Sequence, residues 1–138
     1  MLIAALMVAA IQTTPASPPA GVGLVIREAD TMVRQVPPHN GTGMSTAYRI
    51  SDVAPNRAME FRKRVMHPGS SIGLHVIAHD EVYYVVSGQG DVISDGVTTR
   101  MGPGDTAYLY DGGNVGITQV GDEDLVLIIA YPTAQRVP

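Results

Sequence analysis

Gly69 to Gly90 reads GSSIGLHVIAHDEVYYVVSGQG. The stretch is two strands and their turns. Ile72 to Val76 is a short, mainly apolar run, and Glu81 to Val86 is rich in valine and tyrosine, residue types that suit a pleated, half-buried surface. His79-Asp80 turns the chain between them, and Ser87-Gly88-Gln89-Gly90 turns it again. Side chains on a strand alternate between faces. His75 and Ile77 therefore share one face, as do Glu81, Tyr83 and Val85, while Tyr84 points the other way.

The same rhythm continues outward from this stretch. Downstream lie Asp91 to Ile93, an Asp95-Gly96 hairpin signal, Val97 to Met101, the turn Gly102-Pro103-Gly104-Asp105, then Thr106 to Tyr110, Val115 to Val120 and Leu125 to Tyr131. Upstream lie Met44 to Ile50, Ala58 to Met66 and the turn Pro68-Gly69-Ser70. Short strands at this spacing predict an all-β sandwich or barrel. A chain of 138 residues, 45% hydrophobic and 16% charged, is one globular domain without a second-domain linker. Its net charge of −4 argues against nucleic acid and against acidic membrane surfaces as partners. The absence of cysteine excludes disulfides, thiolate metal sites and a cysteine nucleophile.

The stretch Gly69 to Gly90, together with Gly102 to Gly112 (GPGDTAYLYDG), resembles the cupins, small jelly-roll β-barrels. Their first motif, G-x5-H-x-H-x3-E-x6-G, places Gly69, His75, Glu81 and Gly88 in register. Their second motif, G-x5-P-x-G-x2-H-x3-N, places Gly104 and Gly112. The resemblance spans residues 44–132 and implies a cupin jelly-roll barrel, preceded by an extension over 21–43 and followed by a tail over 133–138. It also implies a homodimer. In the family, two histidines and a glutamate from the first motif join a histidine from the second around a divalent metal such as Fe, Mn, Ni, Zn or Cu.

The chain departs from that pattern at the ligands. Ile77 and Val115 stand at two of the histidine positions, Tyr110 at the proline and Gln119 at the asparagine. Neither aliphatic side chain can hold a metal. His79 is the candidate that would complete a reduced metal site with His75 and Glu81, so the cofactor is either a divalent transition metal or none. Without metal, His75 and Glu81 form either an inert hydrogen-bonded pair or an acid/base pair, with the carboxyl raised by its apolar neighbours. Tyr83, facing inward, and Tyr110, near the barrel mouth, are the candidates for orienting an oxygenated ligand.

Other residues read more plainly. His39 and His67 read as exposed loop residues. Met59, Met66 and Met101 read as core. Ala58 to Met66 alternates, with Met59, Phe61 and Val65 on one face and Glu60, Arg62 and Arg64 on the other. The cluster Arg57, Arg62, Lys63 and Arg64 reads as a solvated strand face ahead of a phosphate or carboxylate grip. Lys63 shares the apolar side and reads as snorkelling outward.

The function expected is a barrel that binds a small oxygenated molecule. Proton transfer of isomerase, epimerase or lyase type by His75 and Glu81 is one reading. A non-catalytic binder is the alternative, and a metal-dependent oxygenase with a reduced site is the third. No charged side chain precedes Arg27, and Leu2 to Ile11 is wholly apolar, too short for the ~20 residues of a membrane span. Residues 1–20 are expected to be a secretory signal or a tail, which would make the mature protein periplasmic or secreted, and otherwise cytoplasmic. Stable membrane insertion is not expected.

Overall fold

A computed structural model describes residues 7–11 and 21–133. The reading of residues 1–20 as a signal falls mainly outside them, as does nearly all of the tail. No helix among the described residues is long and apolar enough to cross a membrane.

Among the described residues, ten strands form two antiparallel sheets. The six-stranded sheet has the order β1 (Met32–Gln35), β2 (Ser45–Tyr48), β3 (Met59–Met66), β10 (Leu125–Pro132), β5 (Glu81–Ser87), β8 (Thr106–Leu109). The four-stranded sheet has the order β4 (Ser71–Val76), β9 (Asn114–Val120), β6 (Gln89–Ser94), β7 (Val97–Met101). The all-β jelly roll expected from the sequence is the observed fold.

Alternation explains what faces inward. Leu125, Leu127 and Ile129 of β10, Tyr83 and Val85 of β5, Ile72 of β4 and Val115 and Ile117 of β9 are buried in one core shared by both sheets. Met66 and Met101 belong to it, as expected. Ile77 and Val115 are 3% and 0% exposed, so the two missing histidine positions are filled by core packing.

β3 reverses the sequence expectation. Its buried residues are Glu60, Arg64 and Met66, with Arg62 half-buried, while Met59 and Phe61 are exposed. The polar face of the strand points into the molecule and the apolar face points out. Met59, expected in the core, is 62% exposed. Lys63 does point outward: its Nζ donates to Glu28 Oε1 at 2.6 Å and lies 4.3 Å from the centre of the Tyr48 ring.

The segment 21–43 is part of the architecture. Glu28–Thr31 is a 3-10 turn, and β1 then pairs with β2 at the sheet edge. Pro37 to Gly43 next crosses to the other sheet as a strap. Gly73 N donates to Pro38 O at 3.2 Å, and Thr42 and Ser71 exchange backbone hydrogen bonds of 3.1 Å in each direction. His39 and Asn40 hold φ of 62° and 57°, left-handed values unusual for residues other than glycine. The approach is so close that a Cβ on Gly73 would overlap the His39 carbonyl oxygen.

Candidate functional site

A pocket of about 170 Å³ lies between the sheets beneath the strap. Each wall places its polar residues through strand geometry. β3 and β5 flank β10, and their registers set cross-strand rows: Arg62–Ile129–Tyr83, then Arg64–Leu127–Val85. Glu81 precedes Tyr83 by two residues, so it continues the inward face of β5 away from Arg64. On β4 a register shift between Ile72 and His75 breaks the alternation. Both residues thereby face the pocket, a known use of a bulge beside a site. Gln35 and Arg49, beside β1 and β2, and His39 on the strap complete the wall with Tyr131.

The histidines form two separate stacks. The His75 ring lies on His39 at 3.5 Å between centroids and 6° between planes. Its Nδ1 is 2.9 Å from Gly73 O. His39 is exposed on the strap, as the sequence reading expects, and its ring also lines the pocket. Burial first, then the His75 and Arg64 charges, holds its pKa below the usual imidazole value. His79 stacks instead on Tyr131, at 4.4 Å. Its Nε2 is 4.0 Å from Glu81 Oε2, too long for a hydrogen bond.

These placements separate the candidate metal donors. His75 and His79 stack on different partners, and their family co-ligands are buried Ile77 and Val115. Among the described residues no group of three or more His, Cys, Asp or Glu is placed to hold a metal ion. The residues present do not fit the family's metal centre.

His75 and Glu81 line the same pocket without bonding to each other. Glu81 is 6% exposed, and its Oε2 is sealed from solvent with no hydrogen-bond partner. Burial pushes its pKa up to about 7, against the opposing charge of Arg62. Tyr83, 1% exposed, lies between the fields of Glu81 and Arg64, and burial drives its phenol upward. Tyr110 does not line this pocket: it is 71% exposed and packs on Tyr108. His67 bridges Thr46 and Asp124, at 3.0 Å to each, as a surface clamp.

The arginines are the residues that sequence reasoning set aside. Arg62 lies 3.5 Å from both Asp52 and Glu60. Glu60 also takes hydrogen bonds from Ser51 at 2.6 Å and Arg57 at 2.8 Å. Burial alone would raise Glu60, but these donors outweigh it and hold its pKa below the usual range. Arg49 donates only to the neutral Gln35 Oε1, at 2.9 Å. Arg64 is 5% exposed, and its hydrogen bond, of 2.8 Å, goes to the Ser45 hydroxyl. Among the described residues neither Arg49 nor Arg64 has a carboxylate partner. Burial, then the like charges of Arg62 and Arg49, pulls the Arg64 pKa down. The signal in the sequence was the alternation of Ala58 to Met66, whose charged face turns inward.

The raised Glu81 carboxyl has a consequence for stability. Its folded pKa, about 7, exceeds the ordinary carboxyl value of 4.5, so the folded state binds the extra proton between those values. Its contribution is intact below about pH 4.5 and is lost as pH rises through about 7. The depressed His39 acts in the opposite sense across neutral pH, so the comparison must isolate Glu81. Glu81→Gln, measured by thermal melts across this range, is expected to remove a pH-dependent loss of about 2–3 kcal/mol. A mutant whose melting temperature tracks the native protein's at every pH would show that the carboxyl is solvated.

Comparison with known proteins agrees with this fold. The cupin domain family model matches residues 63–131, half of the chain. The chain belongs to the cupin domain family. This cupin is 29% identical over 109 residues to an oxalate-binding protein of Thermotoga maritima, covering 76% of this chain and 90% of that one. A crystal structure from the same organism, described as a predicted oxalate decarboxylase, superposes with a TM-score of 0.71 at 25% identity, over 80% of this cupin and all of that chain. A cupin 2 conserved barrel domain protein of Rhodopseudomonas palustris superposes with a TM-score of 0.64 at 15% identity, over 78% and 75% of the two chains, which supports the fold alone.

Proposed function

We infer that this cupin binds a small carboxylate anion in the pocket under the strap. The observation that carries the reading is Arg64, a guanidinium 5% exposed whose hydrogen bond goes to a neutral hydroxyl. A buried charge is costly unless paired, and guanidinium is shaped to grip a carboxylate through two parallel hydrogen bonds. Arg49 adds a second cation without a carboxylate, and Gln35, His39 and His75 add polar contacts. The pocket is smaller than the ~300 Å³ at which drug-sized sites begin. A pocket of this size suits a small ligand. Oxalate, named for the Thermotoga relative, is of that size and charge.

Thermal melts with millimolar oxalate or acetate, and with the neutral acetamide as control, test the reading. Ligand at ~100 times its Kd stabilises by about 2.7 kcal/mol. The carboxylates are expected to raise the melting temperature by several degrees and the amide to leave it unchanged. An equal shift with the amide, or no shift with any carboxylate, would overturn the reading.

Glu81 supports a second reading of the same pocket. A carboxyl titrating near 7 suits general acid/base work on the bound acid. Proton exchange at the methyl carbon of acetate, followed by NMR in D2O, separates the two: a pure binder catalyses none.

A further inference from the structure

We propose that the ligand of this pocket is a short hydroxy-carboxylate, its carboxylate on the arginine side and its hydroxyl on Glu81. The proposal rests on the reading of the pocket as a carboxylate site and goes on to name what the other end of the ligand carries.

The pocket is polarised along the six-stranded sheet. Arg64 sits in the row with Leu127 and Val85, and Arg62 in the next row with Ile129 and Tyr83. Glu81 lies one inward position further along β5, at the corner diagonally opposite Arg64. Arg49 adds its charge to the arginine corner, where it acts on Arg64. One end of a ligand thus meets uncompensated guanidinium and the other meets a carboxyl.

That carboxyl lacks a partner in the protein. Oε2 is buried and unbonded and would meet a ligand by rotation of the carboxyl toward the pocket that Glu81 lines, while His79 stands 4.0 Å off in its stack with Tyr131 and Arg62 is spent on Asp52 and Glu60. Leaving a buried polar group unsatisfied costs ~1–3 kcal/mol, and more when it is charged. A ligand carboxylate cannot satisfy an ionised Glu81, because both would be acceptors. A hydroxyl can satisfy it in either protonation state, donating to the carboxylate or accepting from the acid. The small pocket favours a hydroxyl close to the carboxylate.

The test compares glycolate with acetate, which differ by one hydroxyl, by isothermal titration near neutral pH. Glycolate is expected to bind at least about tenfold more tightly. Glu81→Leu is expected to bring the two affinities together while acetate binding persists, which also reports that the variant is folded. Glu81→Gln, whose amide both donates and accepts, is expected to keep the preference for glycolate. If acetate and glycolate bind equally to the native protein, the hydroxyl assignment is wrong and the carboxylate site stands. If neither acid nor oxalate binds, the carboxylate site itself is wrong. A preference for glycolate that survives Glu81→Leu would place the hydroxyl elsewhere and overturn the proposal.

Discussion

Arg64→Met is expected to make the ligand-free protein more stable and to abolish carboxylate binding in the same variant. The reason is that Arg64 sits 5% exposed without a carboxylate partner among the described residues, and the like charges of Arg62 and Arg49 act against it. Methionine has similar length and flexible packing, and it removes the desolvation cost outright. Ser45 is not left unsatisfied, because its hydroxyl donates to Gln35 O at 2.9 Å. Replacing buried ionic groups with apolar residues of similar volume is often neutral or stabilising by ~1–4 kcal/mol. At roughly 4 °C per kcal/mol for a domain of this size, calorimetry should detect the rise easily. Titration with oxalate on the same sample should then show binding lost. A variant that melts several degrees lower would mean that Arg64 is a structural strut. One that still binds would mean that the anion is gripped elsewhere.

Gly73→Ala should act through the strap. The new Cβ would overlap the His39 carbonyl, which is backbone and cannot rotate away. Either β4 or the strap must move, and the strap is held by fewer hydrogen bonds. Overpacking of this kind costs about 2–3 kcal/mol, or a fall of roughly 10 °C in melting temperature. The stack of His39 on His75 should be lost with it, so ligand affinity should drop along with stability. Limited proteolysis between Pro37 and Gly43 reports the lifted strap directly. Unchanged melting and binding would mean that the strap does not bear on the pocket.

Both variants act on features whose legibility in the sequence differs. The strands and turns were readable because glycine and proline punctuate valine- and tyrosine-rich runs, and the fold followed from them. Tyr83 inward and Tyr84 outward followed from alternation alone, and they are 1% and 42% exposed. The same alternation misled at β3. It separates two faces but does not say which is inside, and hydrophobicity favours the face of Met59, Phe61 and Val65. The true core side carries Glu60, Arg62 and Arg64, tolerable because Ser51, Arg57, Asp52 and Ser45 satisfy most of their bonds. Those partners come from other segments, so local pattern could not reveal them. His39 was hidden for a similar reason: Pro37 to Gly41 announces a turn, but only the tertiary approach to Gly73 shows where its ring lands. The family motif identified His75 and Glu81, yet their stacks and missing partners depend on Ile77, Val115 and the bulge in β4.

The position of β10 bears on when the pocket forms. It is the last of the described strands in chain order, yet it lies in the middle of the six-stranded sheet, between β3 and β5. Until it inserts, Arg62 and Arg64 on one side and Tyr83 and Glu81 on the other belong to strands with nothing between them. Such pairings between distant parts of the chain are slow to form. A ribosome that has released everything up to Val120 has made nearly all of the pocket's residues but no pocket. Affinity for the anion should therefore arrive in one late step with the insertion of β10.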